Sequence, residues 1–97
     1  MTPSTYSPKG TAHNMLTLLY QGPQEYPDMA RVARPDLRQS HADHKAYHAT
    51  QAMARQGAVR FNRETLLYEI TTLGLDLLER LRAGEHVTLH DLQREAA

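Results

Sequence analysis

The chain has 97 residues, 40% of them hydrophobic, with 11 Lys+Arg balanced by 11 Asp+Glu, so its formal net charge is zero. That length supplies one small core with a thin margin, a situation in which association with a second copy is common, and a homodimer is expected. The absence of cysteine excludes a disulfide framework and a thiolate metal site, and no apolar run reaches the length of a signal segment or a membrane span, so a soluble, cytoplasmic protein is expected.

Residues 1–10, MTPSTYSPKG, are polar, contain Pro3 and Pro8 and show no apolar periodicity, and are expected to form a mobile arm. Ala12, Met15, Leu16, Leu19 and Tyr20 then recur at helical spacing and predict a first helix from about Thr11 to Gln21, ended by Gly22-Pro23. Pro27 suits the first turn of a short second helix carrying Met29, Ala30, Val32 and Ala33, and the ring of Pro35 disfavours helix at Arg34. Ser40 and Asp43 have the spacing of an N-cap and its acidic partner for a third helix that runs to about Gln56. Along it Ala46, Ala49, Thr50 and Met53 form the inner stripe, while His41, His44, Lys45 and His48, with Gln51 and Arg55, face outward.

Gly57 follows that helix as a C′ residue, free to take positive φ. Val59 and Phe61 alternate on one face, as do Leu66, Tyr68 and Ile70, and the polar run Asn62-Arg63-Glu64-Thr65 between them predicts a β-hairpin. In Ile70-Thr71-Thr72-Leu73-Gly74 a strand residue meets a hydroxyl able to cap a fourth helix, Leu75 to Arg82, which Gly84 closes. Leu75, Leu77, Leu78 and Leu81 exceed what one narrow stripe needs, so at least one should meet another element or chain. Thr88 and Asp91 offer a capping pair for a short C-terminal helix from Leu89 to about Ala97. The order of elements is that of an α+β domain over residues 11–83 with a tail helix in residues 84–97.

Charge is unevenly spread. Residues 31–63 hold seven cations, Arg31, Arg34, Arg38, Lys45, Arg55, Arg60 and Arg63, against Asp36 and Asp43, whereas residues 64–97 hold three cations and seven anions. The basic third also contains His41, His44 and His48. His44 and His48 are one helical turn apart, a spacing that zinc can use, but without cysteine or an HExxH glutamate no metal site and no cofactor are expected. No nucleophile, acid and base stand at a recognisable spacing and no glycine-rich phosphate loop occurs, so the chain does not read as an enzyme. Phe61 and Tyr68 are expected in the core rather than as a stacking platform for single-stranded nucleic acid.

Met53, Gly57 and Val59 resemble the leucine-x-x-x-glycine-x-valine junction between recognition helix and wing in the winged helix-turn-helix transcription regulators, loosely those of the MarR and PadR groups. Ile70, Thr71 and Gly74 resemble the leucine-threonine-x-x-glycine junction that follows the wing in the same regulators. The turn Arg34-Pro35-Asp36-Leu37-Arg38-Gln39 departs from their pattern, being longer than a tight turn and lacking glycine. The resemblance implies a three-helix core with a two-stranded hairpin wing, a fourth helix and a short C-terminal helix, acting as a sequence-specific double-stranded DNA-binding transcription regulator. It then places the third helix in the major groove, with Arg38 and Lys45 on phosphate, His41, His44 and His48 at base edges or backbone, and Arg60 and Arg63 of the wing on an adjacent minor groove or phosphate. Winged helices also serve as protein-interaction or dimerisation modules, so a protein partner without DNA is the alternative.

Overall fold

The computed structural model describes residues 5–88 and Asp91. In chain order the elements are β1 (Thr5–Tyr6), α1 (Thr11–Tyr20), α2 (Tyr26–Ala33), α3 (Gln39–Gln56), β2 (Val59–Asn62), β3 (Leu67–Ile70), α4 (Thr72–Arg82) and β4 (Val87–Thr88). Two antiparallel pairs, β1 with β4 and β2 with β3, flank the four helices of this α+β domain.

Helix α1 lies at the centre and packs on α2, α3 and α4. Its buried positions Ala12, Met15, Leu16 and Leu19 follow the helical repeat, and they meet Met29 and Ala33 of α2, Met53 of α3 and Leu77, Leu78 and Leu81 of α4. The remaining buried positions of α3 are small: Ala42, Ala46 and Thr50. Helix α2 carries proline in its first turn and ends at Arg34, which leaves helical geometry at φ −145° and ψ 75° as the following proline requires. Between α1 and α2, Gln24 exchanges two backbone hydrogen bonds with Tyr68 (3.0 and 2.8 Å), so the hairpin is also tied to the middle of the helical set.

The hairpin pairs Val59 with Ile70, Arg60 with Glu69, Phe61 with Tyr68 and Asn62 with Leu67. Its turn is organised by Asn62, whose Oδ1 accepts the amides of Glu64 (2.9 Å) and Thr65 (3.3 Å), a side chain imitating a backbone turn. Leu66, expected in the second strand, belongs to this turn instead: it has φ +62° and is 64% exposed. Phe61 is likewise not a core residue, being 44% exposed one rung from the hairpin turn.

Further expectations are corrected. Residues 5–10 do not form a free arm, because β1 pairs with β4 and Tyr6 is buried among α1, α4 and Val87 in the core cluster. Within residues 84–97, Val87–Thr88 is a strand that precedes the helix expected from Leu89. Helix α3 starts at Gln39 with Arg38 as N-cap and no side-chain cap bond, so Ser40 is inside the helix rather than capping it. Helix α4 starts at Thr72, a turn earlier than its leucines suggest, and Leu75 and Tyr20 are exposed. The amide of Asp91 donates to Thr88 Oγ1 (3.1 Å), the contact expected of a capping pair, while the rest of the C-terminal helix lies outside the described residues.

The two glycine-bearing junctions meet each other. Gly57 takes φ +85°, and the Ala58 amide returns to the Met53 carbonyl (2.8 Å), ending α3. The Thr71 hydroxyl donates to the Gly57 carbonyl and accepts the Gly74 amide, while the Thr71 amide donates to the Ala58 carbonyl. Gly74 is buried over that same carbonyl, and a Cβ there would lie 2.1 Å from Ala58 O and 2.8 Å from Ile70 Cγ1. Replacing glycine by alanine inside a helix normally stabilises by about 1 kcal/mol. Gly74→Ala is expected to do the opposite, destabilising by about 1–3 kcal/mol as an overpacking substitution, and urea unfolding of the two proteins checks the sign.

Candidate functional site

Because the buried positions of α3 form one narrow stripe of mostly small residues, most of its circumference faces solvent. Arg38, His41, His44, Lys45, His48, Gln51 and Arg55 are all exposed. The rings of His44 and His48 meet edge to face at 4.3 Å between centroids, and Tyr47 sits against His48 at 5.6 Å. Two members of the expected outward cluster, His44 and His48, are thus in direct contact. Among the described residues no group of three or more His, Cys, Asp or Glu is placed to hold a metal ion.

The seven cations of the basic third divide into two sets. Arg31 pairs with Asp28 (3.2 Å), Arg34 with Asp36 (2.7 Å) and Arg60 with Glu69 (2.8 Å). Among the described residues no ion pair involves Arg38, Lys45, Arg55 or Arg63. Arg60 is therefore a different kind of residue from Arg63. Strand register places it directly opposite Glu69, whose other oxygen accepts from Asn62 (3.2 Å), and these hydrogen bonds, first from Arg60 and then from Asn62, hold the Glu69 carboxyl below its usual range. Arg63 projects from the exposed turn beside Glu64. The pairing of Arg60 was readable in principle, because Arg60 and Glu69 occupy the face of the hairpin opposite Val59 and Ile70.

Arg34 also acquires a structural task that its charge alone did not signal. Its Nε and Nη2 donate to the two carboxylate oxygens of Asp36 (2.9 and 2.7 Å), while the Leu37 amide donates to the Arg34 carbonyl (3.1 Å). This bidentate clamp orders the glycine-free connection from α2 to α3. The guanidinium holds the Asp36 carboxyl down at about 2.

On the other flank of α3, the segment Thr5–Ser7 and the start of α1 face Arg34, His44, Lys45 and His48 across a groove of about 530 Å³. Sequence reading missed this concavity, since an arm without periodicity gave no sign that it would dock. The hairpin contributes a partly exposed aromatic run in which Phe61 and Tyr68 rings are 5.0 Å apart and Tyr68 and Tyr26 rings 6.4 Å apart. Burial, and next the Asp43 carboxylate, push the Tyr26 phenol up.

No family model, curated protein or solved structure matches this chain. Among the described residues no helix is long and apolar enough to cross a membrane.

The Arg34–Asp36 clamp is testable by titration. A carboxylate whose folded value lies near 2, below the ordinary 3.8, contributes stability that is present above the ordinary value and lost as pH falls through the folded one. NMR titration of the Asp36 carboxyl should give a midpoint of about 2 in the parent, returning toward 3.8 in Arg34→Gln. Equal midpoints in both proteins would remove the clamp.

Proposed function

We propose that this protein is a sequence-specific double-stranded DNA-binding transcription regulator with a winged helix-turn-helix layout, acting by occupying a site on DNA rather than by chemistry. The observation that carries this reading is the set of exposed cations Arg38, Lys45 and Arg55, without carboxylate partners among the described residues, on α3 and its N-cap together with His41, His44 and His48. Unpaired cations are what phosphate neutralisation requires, and polar side chains on an open helix face are what base edges require. Further support comes from element order, from the Gln24–Tyr68 bonds that add a third extended segment to the hairpin, and from Arg63 at the hairpin tip. In this reading α3 is the recognition helix and β2–β3 the wing. Arg60 serves the wing internally through Glu69, so Arg63 is its phosphate contact.

A second reading, a winged-helix module that binds protein instead of DNA, is favoured by Phe61 and Leu66, large apolar side chains exposed near the hairpin end. Titration against mixed duplex DNA at several salt concentrations separates the two. DNA binding gives a negative log–log salt slope, and Arg63→Ala should make that slope shallower by about one unit while weakening all duplexes about equally. Glu69→Gln should act in reverse, releasing Arg60 and steepening the slope by up to about one unit. Absence of binding at low salt would favour the protein-interaction reading.

The regulator is further proposed to be a homodimer through α1 and α4. Exposed Tyr20 and Leu75 border a cleft of about 390 Å³ that also includes Leu78, Glu79 and Arg82. Two-fold pairing of this face would bury the apolar pair and set each Glu79 against an Arg82, a self-complementary pattern. Sedimentation equilibrium should show a concentration-dependent dimer for the parent chain and a monomer for Leu75→Glu. A concentration-independent monomer mass for the parent would overturn the dimer.

A further inference from the structure

The segment that carries Tyr6 into the core is lightly held. Strands β1 and β4 pair over two residues each, and Tyr6 is buried although its hydroxyl has no hydrogen-bond partner among the described residues. Between β1 and α1 the chain reverses through Ser7-Pro8-Lys9-Gly10, closed by the Gly10 amide on the Ser7 carbonyl (3.1 Å). Lys9 stands third in that turn with φ +62°, a left-handed conformation that glycine or asparagine adopts more readily. Its N–H donates to His13 Nδ1 at 2.7 Å, which ties the strained residue to α1. A backbone amide can only donate, so Nδ1 presents a lone pair and the ring is neutral, with its proton on Nε2. Protonating Nδ1 sets N–H against N–H and abolishes the bond.

The surroundings favour the neutral ring. His13 lies in the first turn of α1, where the helix dipole disfavours a cation. Burial first, and Arg82 of α4 second, hold the imidazole below its ordinary 6.5. Arg82 shares the cleft between α1 and α4 with Glu79. On the α2 side Asn14 donates to the Ala33 carbonyl (2.8 Å), and β3 brings Tyr68 and Glu69, the second of which is bound to Arg60. Arg34, His44, Lys45 and His48 face Thr5–Ser7 across the groove. Beyond α4, His86 Nδ1 meets Ser7 Oγ at 3.1 Å, and because a hydroxyl donates or accepts, that contact survives either charge state of His86. We propose that His13 is a pH latch on the N-terminal strand: neutral, it fastens the Ser7–Gly10 turn to α1 and seats β1 on β4, and protonated, it releases both and uncovers the apolar seat of Tyr6. A group held below its ordinary value contributes stability that is present above about 6.5 and lost as pH falls through the folded value. The latch does not rest on the DNA-binding reading.

The test uses the full chain, 15N-labelled, followed by amide hydrogen exchange and by long-range imidazole spectra as a function of pH. At neutral pH His13 should be the Nε2–H tautomer, with a midpoint below 6.5. Opening of the Lys9, Gly10, β1 and β4 amides, corrected for intrinsic exchange, should rise about threefold or more from about pH 7.5 to about pH 5, while the central amides of α1 and α4 stay protected. His13→Asn, whose Oδ1 accepts without titrating, should stay closed at both values. His13→Leu, without an acceptor, should be more open than the parent near neutrality and change no further on acidification. His86→Gln and the double variant His44→Gln/His48→Gln should keep the parent's response. An Nδ1–H tautomer at His13, or opening that does not change with pH in the parent, would overturn the latch. So would a response that persists in His13→Asn or vanishes with His44 and His48. Protection lost from α1 and α4 together with β1 would show acid unfolding of the whole domain and overturn it as well.

Discussion

The approach of the first turn of α4 to the carbonyl of Ala58 is the constraint on which the rest of this structure depends. Three chain segments converge there: the left-handed end of α3 at Gly57, the start of β2, and the passage from β3 into α4 through Thr71. One hydroxyl serves two of them, donating to Gly57 O and accepting from Gly74 N. Only a residue without Cβ can lie over Ala58 O at this separation, so Gly74 sets the distance and Thr71 sets the orientation. Because both strands of the hairpin start or end at this point, the junction also fixes the direction in which the hairpin leaves the end of α3.

A chain of zero net charge nevertheless presents Arg38, Lys45 and Arg55 along α3 and its N-cap against the single carboxylate Asp43, and the cause is selective pairing rather than excess charge. Arg31, Arg34 and Arg60 have carboxylates within ion-pair distance, each performing local structural work: a helix-surface pair, a turn clamp and a cross-strand rung. Exposed pairs of this kind add little to stability, about 0–1 kcal/mol each, but they remove three cations from the set available to a ligand. The cations without an ion pair among the described residues, Arg38, Lys45 and Arg55, are gathered on α3 and its N-cap, with Arg63 at the hairpin end.

The small inner residues of α3 have two consequences. Ala42 and Ala46 let the helix sit close to its neighbours while leaving a wide polar surface. Ala49 and Ala52, only partly buried, leave the recess that β1 and the start of α1 roof over. His44, Lys45 and His48 therefore belong both to the outward cluster and to the rim of the groove.

Local periodicity and turn chemistry determined the helices, the hairpin and their order, because a helical or alternating apolar pattern and a glycine at a C′ position act over a few residues. For the same reason the outward face of α3, with Arg38, His41, His44, Lys45 and His48, was legible before any tertiary contact was known. Features that depend on which distant segments meet were decided only by the tertiary structure. Tyr6 and Val87 are separated by most of the chain, and no short-range pattern in residues 1–10 marks the pairing that converts an expected arm into a strand. The exposure of Phe61 and Leu66 depended on where the hairpin turn closed, which Asn62 decided through its side-chain bonds to Glu64 and Thr65. Arg60 and Arg63 look alike in sequence, yet strand register neutralises one and leaves the other without an ion pair among the described residues, since a carboxylate nine residues away becomes a direct neighbour only when the two strands pair.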